Sequence, residues 1–153
     1  MRFPVYLELL IESERTLARS FREVAGAHGD EPDIHFLCQT LARQCDAHVE
    51  RLQPSIERYG TAEDDDEPER LHADGVNEGR KGPLGMLRDL QDLYLLASMV
   101  DVTWTMVKQV AQALPDRDLL ETVIACDQQT AVQLRWLETR MKQAAPQVLI
   151  AAK

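Results

Sequence analysis

Through four long segments the apolar residues of this chain recur every three or four positions, and no segment of useful length alternates at the two-residue period of a strand. Such spacing, sustained over roughly 25 to 30 residues at a time, commits the chain to long amphipathic helices. The first spans about residues 4–28 and places Leu7, Leu10, Ile11, Leu17, Ala18, Phe21 and Val24 on one stripe. Pro4 suits its first turn, and Gly29 ends it. The second spans about residues 31–59, with Ile34, Leu37, Leu41, Leu52 and Ile56 on its stripe; Asp30, Glu31, Pro32 and Asp33 mark its start and Gly60 its end. The third, about 84–114, carries Leu87, Leu90, Tyr94, Ala97, Trp104, Val107 and Ala111 and stops at Pro115. The fourth, about 116–144, carries Leu120, Val123, Ile124, Ala131, Leu134, Leu137 and Met141, and Pro146 is expected to break it before an apolar tail, residues 146–153.

Short turns join the first helix to the second and the third to the fourth, so each pair should form an antiparallel hairpin. Residues 60–83 differ: a run of like charge, Glu63 to Glu67, is followed by Pro68, Gly75, Gly79, Gly82 and Pro83 with little apolar periodicity. That composition reads as a solvated crossover linker, and it lacks the alternating ligands and fixed glycine of an EF-hand. The expected architecture is all-α, one domain over residues 1–153: a four-helix bundle of two antiparallel hairpins joined by a long crossover loop.

Charge narrows the function classes. The formal net charge is −9 with no cluster of Lys and Arg, which argues against nucleic acid and against an anionic membrane surface as partners. The N-terminal residues enter an amphipathic pattern without the apolar run of a signal peptide, and no segment is long and apolar enough to span a membrane. Three cysteines do not make a disulfide framework, since Cys38 and Cys45 lie two helical turns apart, about 10 Å along the axis. A reducing, cytoplasmic setting is the expectation. The apolar tail is placed to dock on the bundle or on a second subunit, and a homo-oligomer, most simply a dimer, is the expected assembly.

Five polar residues stand where the stripes call for apolar ones. Glu14 falls between Leu10 and Leu17, Cys45 and His48 between Leu41 and Leu52, Asp101 between Ala97 and Trp104, and Asp127 between Ile124 and Ala131. Height along the bundle groups them: Glu14 is as far from the end of the first helix as Cys45 is from the start of the second, and Asp101 and Asp127 match within a turn in the other hairpin. Carboxylates gathered away from water must be protonated, hydrated or bridged by cations. Arg15, Arg43, Lys108 and Arg135 adjoin them but are long enough to snorkel outward. One imidazole, three carboxylates and a thiol suit iron, manganese or zinc.

On these residues the chain resembles the ferritin-like superfamily, whose bundles take a Glu from each of two helices and a Glu-x-x-His from each of the other two. Glu14 matches the Glu of the first helix. Cys45-Asp46-Ala47-His48 occupies the second helix's motif with Cys for Glu, Asp101 takes the third helix's place, and Asp127-Gln128-Gln129-Thr130 occupies the fourth's with Asp for Glu and Thr for His. The resemblance implies a metal site formed by Glu14, His48 and Asp127 with Asp101 and Cys45 assisting, holding one divalent ion, with redox or oxidase chemistry as the implied activity.

Two function classes follow. One is a metal-binding ferritin-like protein using the five residues above; the sequence names no small-molecule substrate for it. The other is a non-catalytic bundle that has lost the metal site and acts by oligomerisation or by binding a partner.

Overall fold

The computed structural model describes residues 1–63 and 74–151. Four helices occupy most of them: α1, Phe3–Ala27; α2, Pro32–Tyr59; α3, Gly82–Ala113; and α4, Arg117–Pro146. A short π-helical turn, Gln147–Ala151, follows α4. Among the described residues all regular structure is helical, and no helix is long and apolar enough to cross a membrane. The acidic run beyond Glu63, together with Pro68, His72 and Lys153, lies outside the described residues.

The expected hairpins form: α1 packs along α2 and α3 along α4, and α1 also lies against α3, whereas α2 and α4 touch more sparsely. At one end of the bundle the ring of Phe3 meets Tyr59 edge-on with centroids 5.1 Å apart, and the Ala62 N–H donates to Glu8 Oε1 at 2.8 Å. At the other end the returning chain lies against α1 and α3. A Cβ on Gly79 would collide with Ala27, and the Arg80 N–H donates to Asp89 Oδ2 at 2.8 Å. The crossover therefore starts beside the beginning of α1 and finishes beside its end, so α2 and α3 both run opposite to α1 and α4.

Polar contacts pin the crossover's return leg. Arg19 donates to the Val76 carbonyl, to Asn77 Oδ1 and to the Asp74 carbonyl, and the Val76 N–H donates to Ser20 Oγ at 3.0 Å. Gly75 fits here for two reasons. Its φ of +78° is in the left-handed region, and a Cβ there would stand 2.6 Å from Ser20 Oγ. Asp89, fully buried, holds the end of the leg by accepting from Arg80 and from His28 Nε2, the latter at 2.8 Å.

Asp116 performs the matching task at the opposite end. As N-cap of α4 it accepts from the Leu119 N–H at 3.1 Å. It also accepts from the Tyr59 hydroxyl and from Arg58, which tie the end of α2 to the start of α4. Burial pushes this carboxyl up, but the bonds from Tyr59, Arg58 and Leu119 prevail and hold it at about 2.

Between these ends lies the core, where Leu7, Leu10, Leu17, Phe21, Leu90 and Trp104 are completely buried. Each such side chain contributes about 1.5–3 kcal/mol by leaving water, the main term against chain entropy.

Two sequence expectations are corrected. On α4 Val123 and Leu137 of the expected stripe are buried, but Cys126, Thr130 and Gln133 share the buried face with them, while Ile124 is 42% exposed. This partial shift of the buried face leaves Asp127 half-buried at its margin and places the neutral Thr130 and Gln133 inside. The second concerns the tail: α4 closes at Pro146, and the chain continues directly into the π-helical turn Gln147–Ala151.

Candidate functional site in the bundle core

Of the five residues singled out by spacing, Glu14, Cys45 and His48 are buried together and Asp101 and Asp127 are not. Glu14 and Cys45 are 0% exposed and His48 is 1% exposed. On α3 the buried residue between Ala97 and Trp104 is Val100, which leaves Asp101 half-buried at the margin facing α4, and Asp127 is half-buried on α4. Burial, and then the neighbouring Asp127 charge, push the Asp101 carboxyl above its ordinary value. The two aspartates thus form a rim pair, separate from the hydrogen-bonded group inside.

That inner group is a chain with one residue from each helix. The indole N–H of Trp104 on α3 donates to Glu14 Oε1 on α1 at 3.1 Å. His48 on α2 donates through Nδ1 to Glu14 Oε2 at 3.1 Å, and its Nε2 lies 2.7 Å from Oε1 of Gln129 on α4. The rings of His48 and Trp104 are perpendicular, at 89°, with centroids 6.1 Å apart. Burial disfavours a charged imidazole, but the hydrogen bond and charge of Glu14, with the Gln129 acceptor, raise the His48 pKa above its ordinary value. The ring is thereby favoured as an imidazolium, both N–H groups facing acceptors, beside a carboxylate whose two oxygens each have a donor.

Neighbouring polar groups are neutral. Gln133 donates to Gln44 Oε1 at 3.1 Å and approaches Cys45 Sγ at 3.8 Å; its own Oε1 is buried without a partner. Thr130, at the position where the ferritin-like motif carries His, turns its hydroxyl back to the Cys126 carbonyl at 3.0 Å. Burial, followed by the charge of Glu14, pushes the Cys45 thiol well above its ordinary value, and Cys126 is pushed up to about 12 mainly by burial. With no cation beside it, a thiol so held stays protonated and is a poor nucleophile. Arg15, Arg43 and Arg135 are exposed and Lys108 is half-buried.

The fit to a metal–carboxylate centre follows from this inventory. At the centre stand one carboxylate, one imidazole whose nitrogens both face acceptors, and one protonated thiol; the remaining carboxylates are at the rim. Among the described residues no group of three or more His, Cys, Asp and Glu side chains is arranged to hold a metal ion. The residues present do not fit the ligand set that the ferritin-like resemblance implies.

Sequence spacing passed over Gln133, which lies on the buried face of α4, and Gln129, which is exposed at the margin of that face yet reaches His48. It also passed over Asp89, although a signal existed, since Asp89 sits in register with Met86 and Leu93 as a lone acid among apolar positions. No family model, no curated protein and no solved structure matches the chain.

Proposed function

We propose that this chain is a non-catalytic four-helix bundle in which the position of a metal–carboxylate centre is taken by a metal-independent polar network, and that it acts through its outer faces, by assembly. The observation carrying this reading is the continuous hydrogen-bonded chain Trp104–Glu14–His48–Gln129 across α3, α1, α2 and α4, in which protein groups already satisfy the oxygens of Glu14 and the nitrogens of His48. A network of this kind fixes the mutual register of the helices, because sliding any one of them leaves a buried polar group without its partner. The ferritin-like likeness, on this view, is one of architecture and of residue positions, with the chemistry replaced.

Metal analysis decides the matter. Protein purified after growth and dialysis with iron, manganese and zinc is expected to hold none of them stoichiometrically, and His48→Ala is expected to leave that result unchanged. Stoichiometric metal in the parent protein that disappears in His48→Ala overturns the proposal in favour of a single-ion site on Glu14 and His48.

A further inference from the structure

We propose that the outward face of α3 is the surface on which a second copy of this chain packs. This deepens the assembly reading above and rests on it, naming the surface and the partner.

The argument begins with the sequence of α3, which carries a single charged residue, Asp101, between Leu93 and Val107. A helix apolar on nearly every side is ordinarily covered on every side. The bundle covers only one side of α3: Leu84 is 58% exposed, Leu95 61%, Val102 53% and Met106 39%. Leu84, Leu95 and Val102 fall within about 20° of one another around the helix axis. Leu95, Met99, Val102 and Met106 follow the four-three-four spacing of a helix–helix seam. From Leu84 to Gln109 Arg88 is exposed, and the other charges at or near the surface, Asp92, Asp101 and Lys108, are half-buried. Shallow grooves flank the seam, one of about 310 Å³ beside Leu95 and Met99 and one of about 330 Å³ between Tyr6 and Met106.

Charge and area point to a second copy as the occupant. With a formal net charge of −9, two copies repel wherever their acidic surfaces meet, and the acid at the edge of this face, Asp92, is half-buried and already paired with Arg80. It also presents a foreign partner with almost no charge to recognise, whereas an apolar face is complementary to itself across a two-fold axis. The stretch from Leu84 to Gln109 is about 38 Å long. With a width of about 20 Å, two helix diameters, it offers roughly 750 Å² per copy, close to the ~800 Å² per partner of a standard stable interface.

Sedimentation equilibrium across the micromolar range tests this, with far-UV circular dichroism confirming that each variant is folded. The parent protein is expected to be a dimer. Val102→Glu, and separately Leu95→Glu, place a carboxylate from each copy in the seam and are expected to weaken dimerisation by about 100-fold or more. Val132→Glu, a matching change on the outer face of α4, is expected to leave it intact. A monomeric parent overturns both this inference and the assembly reading. A dimer indifferent to Val102→Glu and Leu95→Glu, or one dissociated by Val132→Glu, overturns the α3 interface and leaves the assembly reading standing.

Discussion

His48 Nδ1 lies 3.1 Å from Glu14 Oε2 in a part of the bundle where the two side chains are 1% and 0% exposed. A buried ion pair of this sort adds little net stability over a well-packed apolar pair, yet losing half of it is costly, because the remaining charge is stranded. The pair and its neighbours, Trp104 and Gln129, therefore act on which helix register is adopted more than on how stable the fold is.

Removal of one partner is expected to show this asymmetry. His48→Ala should cost about 3–5 kcal/mol in urea unfolding. The double replacement Glu14→Leu with His48→Leu should recover most of that loss, while lowering helix-packing specificity as read by amide dispersion in NMR spectra. If the double variant is as unstable as the single one, the asymmetry argument fails.

The pH dependence has a definite sign. His48 is raised above its unfolded value, so its contribution is fully present below about pH 6.5 and is lost as the pH climbs through the higher folded value. Urea unfolding of the parent protein at mildly acid and mildly alkaline pH, compared with His48→Gln, should show a stability advantage that shrinks toward alkaline pH. An advantage that grows instead contradicts the imidazolium assignment.

Much of this arrangement was legible in the sequence, and the part that was not has a physical cause. Helical periodicity located four helices and two hairpins, because apolar spacing over so many turns leaves few alternatives. It found Glu14, Cys45 and His48 since each lies mid-stripe on a helix with a well-marked apolar face. It misplaced Asp127, because Val123–Ile124 offers apolar residues on two adjacent faces and spacing alone cannot choose the rotation; desolvation does. Asp101 was ambiguous for the same reason, flanked by Val100 and Val102.

Acid unfolding should report on Asp116. Its folded value of about 2 lies below that of an unfolded aspartate, so the stabilisation is present above about pH 4 and is lost as the pH falls toward 2. Asp116→Ala, which removes the cap of α4 and the acceptor of Tyr59, is expected to cost about 2 kcal/mol at neutral pH and to flatten that part of the acid profile. An unaltered profile would reassign the acid sensitivity to other carboxylates.

Asp89→Ala should release the crossover's return leg. With the acceptor of Arg80 and His28 gone, amide exchange at Val76 and Arg80 is expected to quicken well beyond that of the α1 core, as mass spectrometry can follow. Equal protection in the two proteins would mean that the contacts from Arg19 and Ser20 suffice to hold it.

All three thiols should be silent in the folded protein. Cys38, Cys45 and Cys126 are buried, and Cys38 and Cys126 are pushed up to about 12, chiefly by burial. A thiol reagent is expected to label none in native buffer and three in denaturant; rapid native labelling would reveal an opening of the bundle that the packed core does not show.

Phe3 sits beside Tyr59 at one end of the bundle, whereas Val148 and Ala151 line a groove with Pro83 and Met86 at the other. The first and last described turns of the chain are thus held apart by the length of α1, about 38 Å. Two probes attached at those turns would therefore report a long separation within one copy.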